Sequence, residues 1–276
     1  VAAYRWKALG RALTLVLLSG AGFMMRSFMS LYSLDLGVET DGLLTAQIYL
    51  PLTKYPEPGQ QIVIHEALLD RLAGEPLLQA SAITVALPLS GGGGGGVELD
   101  GRAAEEGETR PEATSLPVSD DYFAVLGLAT LQGRTFTRDD GLPGGEVAIV
   151  NQRFVDLHLS EGDALGRRVR LFQGQNPNPD APWLTVVGVT PNVRQGNIEE
   201  IETDPVVYVP LRQSPNRVVS LIARSQADQA AVTSLLREAM QSAEPDVPLY
   251  DIMSLEDRLA QERWPSRPIK LIVPFA

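Results

Sequence analysis

LLTAQIYL (residues 43–50) decides the fold. Leu44, Ala46, Ile48 and Leu50 point one way and Thr45, Gln47 and Tyr49 the other, the two-residue period of a strand with one buried face. Pro51, Pro56 and Pro58 end it. Gln60–Ala73 then has Ile64, Leu68 and Leu72 at four-residue spacing, one stripe of a helix. Ala80–Leu87 reads as a second strand. Strand, helix and strand in so short a stretch predict an α/β layer.

The same pattern returns near the other end. Arg217–Arg224 reads as a strand. Val232, Leu235, Leu236, Ala239 and Met240 fit the i, i+3, i+4, i+7, i+8 stripe of a helix that Pro245 stops. Leu249–Ile252 reads as a short strand. Ser254 with Asp257 three residues on predicts a capped start for the helix Leu255–Arg263. Each unit has one apolar helix stripe and too few strands to cover it. One shared sheet of about four strands, with both helices on one face, covers both. Leu68 and Leu236 are then expected in one core.

Between the two units the sequence is β-rich. Expected strands are Glu146–Asn151, Arg167–Phe172, Trp183–Thr190 and Val206–Leu211, with Trp183, Thr185, Val187 and Val189 sharing one face. Short helices are expected at Asp120–Leu126 and Val150–Leu157. Residues 90–112, with Gly91–Gly96 and the acids Glu105, Glu106 and Glu108, read as a mobile loop. Gln173–Pro182 reads as a Pro/Asn loop. The fold class is therefore α+β: an α/β part, residues 35–110 and 212–265, carrying an inserted β-rich part, residues 111–211.

Residues 1–34 differ from the rest. They hold Arg5, Lys7, Arg11 and Arg26 and no acid, in a chain of 276 residues with a net charge of −11. ALTLVLLSGAGFMM (residues 12–25) is uncharged and spans about 21 Å as a helix. With apolar flanks and snorkelling arginines it reaches across a bilayer. A buried core helix and a cleaved signal peptide, with Ser19–Gly22 as the cleavage region, are the other readings. The retained span is preferred because apolarity continues through Phe23, Met24, Met25 and Phe28. Basic residues before the run put the N-terminus in the cytoplasm and the acidic bulk outside.

Composition narrows the function. Hydrophobic content of 44% suits a globular chain, and the acidic excess argues against a nucleic-acid surface. With no cysteine, disulfides and Cys-based zinc sites are excluded. The glycine run lacks the Lys-Ser/Thr and the helix of a phosphate loop, so no phosphate binding is expected there. His65 and His158 are the only histidines, without metal-ligand spacing, and read as surface or core-edge residues. Asp120-Asp121 and Asp139-Asp140 read as caps and solvated turns before acid–base or cation sites. No catalytic, cofactor-binding or metal-binding residue is assigned.

Several pieces, taken together and in order, resemble MacB-like/FtsX-like permeases, and within them a duplicated subgroup common in acidobacteria. They are LVLLSGAGFMMRSF (15–28), LPLSG (87–91), VSDDYFAVLGLATLQGRTFTRDD (118–140), VAIVNQRF (147–154), ALGRRVRL (164–171), TVVGVTPNVRQGN (185–197), VVYVPL (206–211) and PDVPLYDIMSLEDRLAQERWP (245–265). The resemblance covers roughly residues 12–265. It implies a transmembrane helix in residues 1–34, then a porter-like α/β subdomain (35–110 and 212–265) carrying a β-rich, sabre-like one (111–211). It implies the extracytoplasmic core of a non-catalytic ABC transporter permease in the bacterial inner membrane, on a single span. The implied partners are lipid along residues 12–32, a cytoplasmic ATPase reached through further permease helices, and a second permease. No cofactor and no nucleic acid are implied. The family continues into three more membrane helices, so the chain, which opens on Val1, is expected to be a fragment. The tail 266–276 departs from the family. WPSRPIKLIVPFA (264–276) resembles the mature start of tripartite tricarboxylate receptors. A free solute-binding protein and a regulator of cell-wall enzymes are the alternatives. A polar pocket between subdomains would favour the former, and an exposed apolar patch without one the permease or the regulator.

Overall fold

The structure, a computed structural model, describes Gly22 and residues 37–101, 110–159, 164–174, 178–196 and 203–263. The expected membrane span over residues 12–32 and the tail 266–276 lie outside them. Among the described residues no helix is long and apolar enough to cross a membrane.

In chain order the elements are β1 (Leu43–Tyr49), α1 (Pro58–Leu72), β2 (Ala80–Thr84), β3 (Gly93–Leu99), β4 (Glu112–Val118), α2 (Tyr122–Val125), β5 (Gln132–Gly133), β6 (Val147–Asn151), α3 (Gln152–His158), β7 (Arg168–Gln173), β8 (Leu184–Thr190), β9 (Val206–Pro210), β10 (Val218–Arg224), α4 (Gln229–Ala243), β11 (Leu249–Ser254) and α5 (Leu255–Arg263). One sheet connects all eleven strands, in the order β11-β1-β10-β2-β4-β3-β7-β8-β6-β9, with β5 on β8.

The first four strands in that order are the expected shared sheet. β1 pairs antiparallel with β10 and β11, and β10 with β2. Leu44, Ala46, Ile48 and Leu50 fall in one buried cluster with Ile64, Leu68 and Leu72 of α1 and Val232, Leu236, Ala239 and Met240 of α4. Leu68 and Leu236 thus share a core. Each Leu, Ile, Val or Met among them gains about 1.5–3 kcal/mol by burial. Pro58 stands in the first turn of α1, where its missing N–H costs nothing, and Gln60 Oε1 accepts from the Glu57 N–H at 3.2 Å. Asp228 caps α4 by accepting from Ala230 N and Ala231 N at 3.0 and 3.2 Å. Ser254 Oγ accepts from Asp257 N at 3.0 Å and starts α5.

The remaining main strands close on themselves. β4 pairs with β3 along one edge and, in parallel, with β9 along the other. β3, β7, β8, β6 and β9 are joined in turn. The ring is a six-stranded barrel without an open edge. Val97, Leu99, Ala113, Ala148, Val150, Val186 and Val207 lie in its core cluster together with Phe154 of α3. Asn151, fully buried, joins three elements. Its Oδ1 accepts from Phe154 N and Val206 N, both at 2.9 Å, and its Nδ2 donates to Asp204 O at 2.8 Å.

Two expectations are corrected. Residues 90–112 are not one loop, because Gly93–Gly96 are strand residues paired with Ser115–Glu112 of β4. A strand at a barrel corner must bend, and glycine permits close backbone approach there. A Cβ on Gly92 would stand 2.3 Å from Thr114 Cγ2. Second, the buried apolar side chains of β8 are Leu184, Val186 and Val189, not an unbroken 183/185/187/189 face. Ala148 of β6 faces Val186 and Ile149 faces Gly188. The skipped Val187 is a bulge that switches the buried face midway.

Candidate functional site

The α/β layer and the barrel meet along β2 and β4. Their ladder contact is the pair Thr84–Val118. Ser119 extends it: its N–H donates to Ile83 O at 2.8 Å and its Oγ accepts from Ile83 N at 2.9 Å. The turn Asp120-Asp121 then leads into α2. Its Tyr122 and Phe123 are fully buried; Phe123 packs edge-on against Tyr122 and against Tyr208 of β9, and Tyr122 meets Tyr208 at a tilt, centroids 5.0–6.0 Å apart. This apolar contact carries the seam.

Beside the seam lies an open cleft between α1, the Ser119–Asp121 turn and the segment around Arg138, lined also by Arg212. Arg212 Nε donates to Glu66 Oε1 at 2.8 Å, and a second guanidinium N–H reaches the same oxygen. Its Nη1 donates to Arg138 O at 2.6 Å, and Arg138 in turn pairs with Asp70 at 2.5 Å. The network straps α1 to the barrel side. Asp70 and Arg138 are well exposed and Glu66 and Arg212 partly so, so water screens both pairs and they add little to stability. Asp120 is half-buried; burial raises its carboxyl above the usual range, with the Asp121 charge adding to the effect.

His65 forms part of the cleft wall and is 1% exposed. Neither ring nitrogen has a hydrogen-bond partner, and burial pushes its pKa down to about 4. It is a neutral core residue rather than a surface or edge one. His158 ends α3 and packs edge-on against Phe154, centroids 5.0 Å apart.

The acidic pairs separate in role. Asp121 begins α2. Asp140, 8% exposed, accepts from Arg134 Nη1 and Nη2 at 2.6 and 2.9 Å and from Thr137 N and Oγ1 at 2.7 and 3.0 Å. Burial pushes its carboxyl up, but these donors outweigh it and hold the group below its ordinary range. It staples a turn. Among the described residues no cluster of His, Asp and Glu could hold a metal ion. The amides of the glycine run are engaged within the fold, Gly91 N–H on Gln195 O and Gly96 N–H on Gly174 O. The arrangement binds segments to one another; among the described residues it offers no nucleophile with an orienting base.

A second polar centre lies where the chain enters the sheet. The lead-in segment 37–42 runs beside α5, with Thr40 Oγ1 donating to Glu256 Oε1 at 3.2 Å and Leu44 facing Ser254. The Arg224 side chain is 12% exposed. Its Nε donates to Val125 O at 2.6 Å, Nη2 to Glu39 O at 2.9 Å and Nη1 to Asp41 O at 3.2 Å. Neither Arg224 nor the Glu66–Arg212 and Asp70–Arg138 pairs carried a local signal, since their partners are distant in sequence.

A family model, the MacB-like periplasmic core domain, matches residues 12–239. An uncharacterized ABC transporter permease, YvrN of Bacillus subtilis (strain 168), is 27% identical over 158 residues, 52% of this chain. The match covers only 36% of that relative's length. The crystal structure of the periplasmic region of MacB from Actinobacillus actinomycetemcomitans superposes with a TM-score of 0.54 at 14% identity, over 87% of this chain and 100% of the other. That likeness is one of fold.

Proposed function

The chain belongs to the MacB-like periplasmic core domain family, and from that premise we propose that it is held on the outer side of the bacterial inner membrane and works as the non-catalytic outer part of a permease driven by a cytoplasmic ATPase. Residues 1–34 form the anchor, with 12–32 in lipid, on a single span. Further permease helices connect the domain to the ATPase, and a second permease copy pairs with it. The α/β layer is the porter-like part and the barrel the sabre-like insertion, for which the sequence suggests the bounds 35–110 with 212–265 and 111–211. The pairing of β3 within the barrel supports starting the insertion near Gly93.

The observation that carries this reading is the meeting of the lead-in and lead-out segments. Thr40 bonds to Glu256, and Leu44 faces Ser254. A domain whose first and last described segments lie side by side suits attachment to one membrane plane. The polar cleft beside the seam speaks for the solute-binding reading, but its arginines are already paired with Glu66 and Asp70 of α1. Solute-binding proteins close two lobes about a hinge, whereas here one sheet runs through both parts.

Fractionation of bacteria expressing the full chain tests the proposal. The expected result is a membrane-bound protein that resists carbonate extraction and is cut by protease added to spheroplasts. Deleting residues 1–34 releases it. A carbonate-soluble or protease-protected full chain would overturn the anchor and the sidedness.

A further inference from the structure

We infer that Arg224 is a clamp that makes the lead-in segment, α2 and the end of β10 one mechanical unit, so that the barrel side follows the segment through which the chain enters. The functional meaning rests on the membrane attachment proposed above; the clamp geometry does not.

Three carbonyls converge on one guanidinium, and they come from separate places. Glu39 O and Asp41 O belong to the lead-in segment. Val125 O belongs to the last turn of α2, where a helix leaves its carbonyls unpaired. α2 is packed by Tyr122 and Phe123 onto Tyr208 of the barrel strand β9. Arg224 itself sits at the end of β10, paired with Leu43 of β1. The Glu39 carboxylate, 3.6 Å from the guanidinium, supplies countercharge. A planar fork spreads five donors over three nitrogens and so reaches three separated acceptors, whereas an ammonium holds its three donors on one atom.

Close backbone fits hold the lead-in segment on both sides of this bond. Gly37 lies so near the barrel-side segment that a Cβ would stand 2.3 Å from Asn192 O. Gly42 lies equally close to β10, with a Cβ 2.5 Å from Ser225 O, and accepts from Ser225 N at 2.8 Å. The segment is thus fitted against the barrel side at Gly37, fixed to α2 through Arg224, and fitted against β10 at Gly42.

Amide hydrogen exchange on the full chain tests the clamp, using R224M, R224K and, as a control, R237M on the exposed face of α4. In R224M, amides of residues 37–42 and 126–128 are expected to exchange at least about tenfold faster, while those of β1 and the barrel core stay within about twofold of wild type. R224K keeps the charge and the aliphatic stem, so it folds if R224M does not; it is expected to show the same local pattern at smaller amplitude. R237M changes nothing. Unchanged protection in both Arg224 variants overturns the clamp. So does a rise spread evenly over β1, β10 and the barrel, which would make Arg224 a contributor to stability alone. Neither result bears on the membrane fractionation.

Discussion

The ring of Phe172 lies across Gly96, filling the space where any side chain at that position would stand. The two residues face each other between β7 and β3, and a Cβ on Gly96 would be 2.2 Å from Phe172 Cε2 and 2.8 Å from Gly174 O. The aromatic ring thereby covers a strand position that has no side chain to bury, and β3 can change partners there, from β4 to β7.

Gly96→Ala is expected to destabilise the chain by about 1–3 kcal/mol through overpacking. Gly94, where a Cβ meets nothing within 4 Å, tests the opposite case. Gly94→Ala should be neutral or stabilise by up to about 1 kcal/mol, by reducing the freedom of the unfolded chain. Urea denaturation of both variants checks this; equal losses would mean that the ring is not the constraint.

His65 makes stability depend on pH. Its folded pKa is lowered from 6.5 to about 4, so the unfolded chain takes up the proton first. This contribution is complete above about pH 6.5 and drains as pH falls toward 4, amounting to about 3 kcal/mol. His65→Phe keeps the ring, removes two unpartnered nitrogens and should flatten the wild-type slope between pH 6.5 and 4. Chemical denaturation across that range, for both proteins, reads the difference.

Asn151→Ala leaves the N–H groups of Phe154 and Val206 and the carbonyl of Asp204 without their partner, and should cost about 2–4 kcal/mol. Asn151→Asp keeps the two accepted bonds but sets a carboxylate against Asp204 O, so its loss should be smaller than that of the alanine variant. Thermal unfolding ranks them.

The ion pairs at the seam should behave differently from the turn staple. A double-mutant cycle over Glu66 and Arg212 is expected to give a coupling below about 1 kcal/mol that fades in high salt. Asp140→Asn, which removes a buried charge from four donors, should cost about 2–4 kcal/mol and keep that cost in salt.

Much of the fold was legible along the chain. Leu44, Ala46, Ile48 and Leu50 at period two, and Val232, Leu236, Ala239 and Met240 at helical spacing, identify β1 and α4, and the wish of two helix stripes for one cover brings Leu68 to Leu236. Ser254 and Asp257 mark the start of α5 in the same local way. The loss of side-chain pattern in Gly91–Gly96 has no such reading. Glycine lacks the alternation by which strands are recognised, and only pairing with β4 and β7 makes those residues a strand. The bulge at Val187 depends likewise on where β6 lies.

Periodicity and caps therefore determined from sequence alone which segments bury a face and where the helices begin. The tertiary structure alone decided that β4 meets β9 to close the barrel, that Phe172 covers Gly96, and that Arg224 reaches Val125, Glu39 and Asp41 at once. A hydrophobic stripe is a property of neighbouring residues. A ring closure or a clamp joins groups dozens to hundreds of residues apart, and the free energy that selects it arises only when the packed chain has brought their donors, acceptors and surfaces into contact.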